Sequence, residues 1–425
     1  MPQKGLRSCA LVCRAWYQAS ICVLYRDITI SSRVGFDSLA EITYKDARAP
    51  ERLARTNSLR VGGIQREIPV HVVPLIFARP MPNVRRLVFY STLHRLIHSS
   101  FFITLPLFKS VTTLELFRFK LRSFSELRRV ISAFPRLDCL KLGVGALEVE
   151  MNIPPLLVVP QTRIRLKYLV LGWGLTPSLL VPLIRWLAGS SACATLAHLA
   201  VWRGPSNIAL QANELLTIAG KTLVTIHEWD IDTADDLECF WPTALRGLYS
   251  GAYSQWQVPW QLRDRIAVHC TFAHSPRLRN IRFELHACTL DDSPNNKWLA
   301  AASELESVLR TVRGSSLCRI KIRQSVRLTR TFLSLCAHPR LFYAALSPEA
   351  LLPIHRVMRD AAFGSLEFVE FSVDVEYSTW EFGHSRKTVS MAVEKFSSGL
   401  PHLFAPWHEH GILQIVEKIN NKGRL

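Results

Sequence analysis

The chain has no two cysteines in a C-x-x-C spacing: its ten cysteines stand singly at 9, 13, 22, 139, 193, 239, 270, 288, 318 and 336. That excludes the paired-thiol ligand sets of structural zinc sites and the redox dithiol. With mostly apolar neighbours the thiols read as reduced and buried, which favours a cytoplasmic or nuclear location. No run of about eighteen uninterrupted apolar residues is present to span a bilayer, so no membrane is expected as a partner. Arg14 interrupts the apolar run near the start, against a signal peptide. The phosphate loop G-x-x-x-x-G-K-[ST], the G-x-S-x-G elbow, H-E-x-x-H and a G-x-G-x-x-G following a strand are all missing. Gly143-x-Gly145 and Gly172-x-Gly174 read as turns at strand ends. No enzyme and no cofactor are expected.

Acidic residues are scarce beside basic ones, 34 against 52 in 425 residues, which leaves a formal charge of +18. Such an excess attracts acidic partners over long range. The arginines are spread along the chain and form no run, so nucleic acid is not the expected partner. Two further groups have the residue types of metal sites. His408-Glu409-His410 has no cysteine nearby and follows Pro406, and Asp230, Asp232, Asp235, Asp236 and Glu238 lack the glycine and closing glutamate of a calcium loop. Both read as solvated loops, and no metal is expected.

What is present is a repeat. The unit L-x-x-L-x-L occurs at Val84-x-x-Leu87-x-Phe89, Val111-x-x-Leu114-x-Leu116, Leu137-x-x-Leu140-x-Leu142, Leu166-x-x-Leu169-x-Leu171 and Leu196-x-x-Leu199-x-Val201, with first positions 27, 26, 29 and 30 residues apart. Leu59-x-Val61 is a weaker leading copy. Later copies begin at Leu223, Leu245, Leu278, Leu317 and Leu366, at irregular spacings. A strand motif at this period, returning through a helix, is the pattern of a leucine-rich-repeat-like α/β solenoid, a curved parallel sheet with helices on its convex face.

Between copies the period becomes helical. Phe124, Leu127, Val130, Ile131 and Phe134 share one face, Ser123 with Glu126 reads as a capping box, and Pro135 closes the helix before the next strand. Further helices are expected over Thr176–Ala188, Ala212–Ala219, Asn295–Val312, Thr329–Ala337, Pro348–Ala362 and Thr388–Ser398. The solenoid is assigned to 50–375 and a C-terminal helical cap to 376–425.

Alternation along a strand sends positions 1, 4 and 6 of each unit toward the core and positions 3 and 5 onto the concave face. Those positions hold Arg86 and Val88, Thr113 and Glu115, Cys139 and Lys141, Tyr168 and Val170, His198 and Ala200, Thr225 and His227, Asn280 and Arg282, and Arg319 and Lys321. Tyr90, Phe117, Trp173, Trp202 and Trp229 follow the strands as an aromatic rim. Aromatics beside basic groups are the usual anchors of protein interfaces. The candidate partner-binding set is therefore Arg86, Tyr90, Phe117, Lys141, Tyr168, Trp173, His198, Trp202, His227, Trp229, Arg282, Arg319 and Lys321. Glu228, where the repeat calls for leucine, suggests a register shifted by one near Trp229.

Residues 1–30 lie outside the repeat. Leu6, Cys9, Ala10 and Cys13 fall on one helical stripe that Trp16 and Leu24 can close into a small core. The segment with Cys9, Leu11-Val12-Cys13-Arg14-x-Trp16 and Leu24-Tyr25-Arg26 resembles the second half of an F-box, of the kind found in fungal F-box proteins. The resemblance implies a helical module that docks on the Skp-type adaptor of a cullin-RING (SCF-type) ubiquitin ligase while the repeats hold a protein substrate. By that resemblance Leu11, Val12, Cys13, Trp16, Leu24 and Tyr25 are the adaptor-binding residues. The family's opening Leu-Pro helix has no counterpart before Leu6, so the box is truncated or decayed. The alternatives are a repeat scaffold with no ligase role and a basic solenoid that binds nucleic acid.

Overall fold

The computed structural model describes residues 11–63, 68–94, 97–148, 164–202, 208–229, 269–289, 294–327, 347–377 and 386–421. The chain divides into two compact units, Met1–Leu196 and Ala197–Leu425. Both are α/β, and the strands within each are parallel and follow one another in chain order.

The first unit runs α1 (Arg14–Leu24), β1 (Asp27–Ile30), α2 (Arg33–Lys45), α3 (Ala49–Leu53), β2 (Ser58–Val61), α4 (Val73–Phe77), β3 (Arg86–Tyr90), α5 (Ser99–Thr104), β4 (Thr113–Leu121), α6 (Phe124–Ser132), β5 (Cys139–Leu147), β6 (Tyr168–Leu171) and α7 (Pro177–Gly189). The second runs β7 (His198–Trp202), α8 (Ile208–Ala219), β8 (Thr225–Trp229), β9 (Asn280–Thr289), α9 (Pro294–Leu309), β10 (Arg319–Arg327), α10 (Pro348–Met358), β11 (Phe368–Tyr377), α11 (Arg386–Leu403), α12 (Ala405–Glu409) and β12 (Leu413–Asn421).

The strands start where the repeat unit dictates. From β2 to β11 each begins at position 3 of its copy, and equal positions stand side by side: Leu59, Leu87, Leu114, Leu140 and Leu169 form one row, and Leu199, Ile226, Ile281, Ile320 and Val369 another. A backbone clamp sets this register. The carbonyl at position 2 accepts the N–H groups of positions 2 and 3 of the next strand, as Asn57 does from Arg85 and Arg86, and Arg85 from Thr112 and Thr113. In the second unit Val224 accepts from Arg279 and Asn280, and Cys318 from Glu367 and Phe368, with all these bonds between 2.8 and 3.2 Å.

Positions 1, 4 and 6 are buried in every described copy, from Val84, Leu87 and Phe89 to Leu317, Ile320 and Ile322. The helices cover that face. Leu127, Val130 and Ile131 of α6 are buried, Phe124 meets Trp186 of α7 edge to face, and Arg129 lies 4.5 Å from the ring centroid of Phe102 on α5. The expected capping box is half formed. The Glu126 carboxylate reaches back to the Arg122 N–H at 2.8 Å, while the Ser123 side chain makes no capping bond.

Several expectations are corrected. In the sheet β9 pairs directly with β8; the Leu245 copy, the helix expected over Thr329–Ala337 and the acidic cluster from Asp230 to Glu238 lie outside the described residues. The sheet begins before residue 50, because Asp27–Ile30 already pairs with β2. The segment expected as a helical cap holds α11 and α12 and then a strand, β12, paired with β11. His408-Glu409-His410 is not a loop but the end of α12, where the His410 ring bonds the Pro406 carbonyl.

Gly143 and Gly145 lie within β5. Between them Val144 adopts φ 47°, as Arg118 (φ 52°) and Ser91 (φ 56°) do at the equivalent place in β4 and after β3. Left-handed backbone at three successive copies is a repeated local kink, and in β4 and β5 the pairing resumes beyond it in the same register, Phe119 beside Gly145. Gly145 is needed because Phe119 fills the space beside it: a Cβ there would stand 2.2 Å from the ring. Gly145→Ala should therefore lower stability by about 1–3 kcal/mol, read by urea denaturation, and Phe119→Leu in the same chain should restore part of the loss. An additive pair of losses would contradict the contact.

Candidate binding surfaces

Three surfaces carry the residues singled out in the sequence. On α1, Cys13 is the exposed N-cap. Ahead of it Leu11 and Val12 are 88% and 66% exposed, and Trp16 and Val23 are 53% and 54% exposed. Trp16, Ala19 and Val23 recur at helical spacing along one outward face. Trp16 therefore does not close a core, as the sequence suggested. The inward face carries Ile21, with Leu24 and Tyr25 half-buried, and Tyr17, whose hydroxyl accepts a 2.9 Å bond from Arg52 of α3. Leu6, Cys9 and Ala10 lie outside the described residues.

The face of the first sheet opposite the helices holds positions 3 and 5, but it is less open than alternation alone predicts. Glu115 is completely buried, and Val88 and Val170 nearly so. Cross-strand neighbours only about 4.8 Å apart cover one another wherever long side chains stand in a row. Glu115 accepts two bonds from Arg86, Nε to Oε1 at 3.0 Å and Nη2 to Oε2 at 2.9 Å, and Lys141 Nζ stands 3.2 Å from Oε1. Arg60, at position 5 of β2, is half-buried; burial first, then the neighbouring Arg86 charge, hold its guanidinium below the usual pKa. The aromatic rim is a correction too. Tyr90 and Phe117 are buried and stacked, with centroids 5.3 Å apart, and Phe117 meets Trp173 at 6.2 Å. Of this unit's expected contact residues, Tyr168 is exposed and Trp173 half-buried.

In the second unit position 5 runs Ala200, His227, Arg282, Lys321, Glu370 from β7 to β11. Lys321 pairs with Glu370 at 2.6 Å, and Arg323, at position 7 of β10, pairs with Asp374. Arg319 is exposed and Arg282 half-buried, while Trp202 is buried. Trp229 ends β8, its backbone beside Trp202. His198 is half-buried, and burial lowers its pKa. His227 is held well below the usual value for histidine, by burial first and then by the Arg282 and Arg323 charges.

Glu228 does not mark a register error. It pairs with Val201 as its position requires and points into the core, where its carboxylate lies 2.8 Å from His269 Nδ1 and also accepts the Cys270 N–H. Glu304 of α9 lies 2.6 Å from the other ring nitrogen. Both nitrogens thus face carboxylate oxygens, an arrangement in which an imidazolium donates twice. With side chains 2–12% exposed, the trio joins β8 to α9. It buries a carboxylate with its partners, which is a structural role.

Nor are all thiols buried. Cys13 and Cys22 are exposed, whereas burial pushes the Cys139 thiol up to about 11 and Cys193 up to about 12, outside the range of reactive thiolates. Among the described residues no three His, Cys, Asp or Glu side chains cluster as a metal site, and no helix is long and apolar enough to cross a membrane. Compared with known proteins, the chain matches no protein-family model and no curated protein.

Glu115→Ala should cost about 2–4 kcal/mol, less than a fully buried pair because Arg86 and Lys141 keep some contact with water; a loss below about 0.5 kcal/mol in chemical denaturation would show the carboxylate to be dispensable. His227 gives a pH test. Its folded pKa lies below the unfolded value of about 6.5, so the unfolded chain binds the extra proton as pH falls through that value. Stability is full above it and declines below, by at most about 1.4 kcal/mol per pH unit for one proton. His227→Gln should flatten the stability profile between about pH 6.5 and 5; an unchanged slope would contradict the assignment.

Proposed function

We propose that this chain is a leucine-rich-repeat-like interaction scaffold that recruits a protein substrate to a cullin-RING ubiquitin ligase, docking on a Skp-type adaptor through the segment from Leu11 to Tyr25. The observation that carries the reading is the outward apolar strip of Leu11, Val12, Trp16 and Val23. A helix anchored on one side by Tyr17 and Arg52 and apolar on the other is suited to lie against a second hydrophobic surface. Leu11, Val12 and Trp16 of this strip are among the residues the F-box resemblance assigns to the adaptor, and the exposed Cys13 lies beside them, while Leu24 and Tyr25 of that set are half-buried on the other face. Behind it, the in-register strands offer faces of mixed polar and apolar character for a substrate.

Nucleic acid is the weaker reading. Arg282, Arg319 and Arg323 occupy positions 5, 3 and 7 of adjoining strands and so share a face, but Glu284, Glu370 and Asp374 stand among them, and alternating charge repels a phosphate backbone as much as it attracts it.

Leu11 and Trp16 are exposed, so replacing them should leave stability unchanged within about 0.5 kcal/mol. The full chain should co-purify with a Skp-type adaptor at physiological salt, and a Leu11→Ala, Trp16→Ala variant should lose it while keeping its unfolding midpoint. A folded wild-type chain that captures no adaptor would sink the ligase role and leave a scaffold.

A further inference from the structure

We propose that the face of the first sheet carrying Arg60, Arg86 and Lys141 binds an acidic peptide segment of a protein partner, with Arg60 receiving a carboxylate of that peptide. The proposal specifies the substrate class for the recruiting face and rests on the scaffold reading above.

Three cations occupy this face around one buried carboxylate. Glu115 is saturated: Oε1 faces Arg86 Nε and Lys141 Nζ, and Oε2 accepts Arg86 Nη2. Arg60 stands two strands away, with Val88 between it and Glu115 at position 5. Its side chain makes no hydrogen bond or ion pair with any described residue. Glu115 and the exposed Asp27 act on Arg60 at a distance, and Arg86 opposes them. A guanidinium that has lost part of its hydration and gained no carboxylate is a costly arrangement for a fold. Nothing in the packing of β2 demands an arginine there, since positions 4 and 6, Leu59 and Val61, supply the core. An incoming carboxylate would remove that cost with a charge-assisted, fork-shaped pair.

Charge complementarity chooses the occupant. The chain carries +18 overall, which steers acidic partners toward it. The face itself carries both signs across the strands: Asp27 on β1, Arg60 on β2, Arg86 on β3, Glu115 on β4 and Lys141 on β5. A continuous phosphate chain would set charges against Asp27 and Glu115. A peptide can place one acidic side chain at Arg60 and neutral groups elsewhere.

The test uses the full chain, a fluorescent decapeptide of alternating Glu and Ala, and an oligodeoxynucleotide of five phosphates at physiological salt. Binding of the peptide should fall about tenfold in Arg60→Gln, the loss of one charge-assisted contact. Arg165→Gln, which removes one exposed charge of the same unit outside the strands, should change it less than twofold. Because Arg60 has no ion pair to break, Arg60→Gln should unfold no more easily than the wild type, so weaker binding cannot be blamed on misfolding. No binding of the peptide, an equal loss in both variants, or an oligonucleotide that binds as tightly and depends on Arg60 would each overturn the proposal. Capture of the Skp-type adaptor, measured on the same samples, separates this outcome from failure of the ligase reading: a chain that captures adaptor but ignores the peptide refutes the acidic substrate alone.

Discussion

Strands β2 to β6 of the first unit and β8 to β11 of the second are placed by one backbone device, the position-2 carbonyl that accepts two N–H groups from the strand that follows. It fixes where a strand enters the sheet. Since side chains alternate, the entry point decides which residues face the helices and which face away. A slip of one residue would turn Leu87, Leu114 and Leu140 out of the core and Arg86 and Lys141 into it. The apolar rows at positions 1, 4 and 6 enforce the register from the other side, by burial against the helices. Clamp and core thus support each other, and the polar face is as regular as the apolar one behind it.

This explains what was legible in the sequence. The repeated L-x-x-L-x-L unit locates the strands from β2 to β11, and the helical face from Phe124 to Phe134 locates α6. β1 was hidden because Asp27-Ile28-Thr29-Ile30 lacks the leucine signature, and β12 because Leu413 to Asn421 carries polar residues at the sheet's end. Glu228 looked like a register error. Its partners, His269 and Glu304, lie 41 and 76 residues further on, a distance over which no local pattern can report a contact.

The candidate surfaces were half legible. Positions 3 and 5 were assigned to the correct face, but alternation gives direction and not exposure. Glu115 and Val88 point away from the helices and are still buried, because strands this close let long neighbours cover short ones. Tyr90 and Phe117 stack on each other, where an open rim was expected. Arg60 was passed over because the first copy of the repeat is weak. Its place between Leu59 and Val61, at position 5 of a copy whose position 1 is Thr56, was the available signal.

Amide hydrogen exchange of the folded chain tests most directly whether the position-2 clamp sets the strands side by side. In the first unit the amides of Arg86, Thr113, Cys139 and Tyr168 should exchange slowly and together, far behind those of the exposed end of α1, because each is bonded to the strand before it. Exchange of these four at the pace of the α1 terminus would contradict the clamp, and with it the register on which both faces depend.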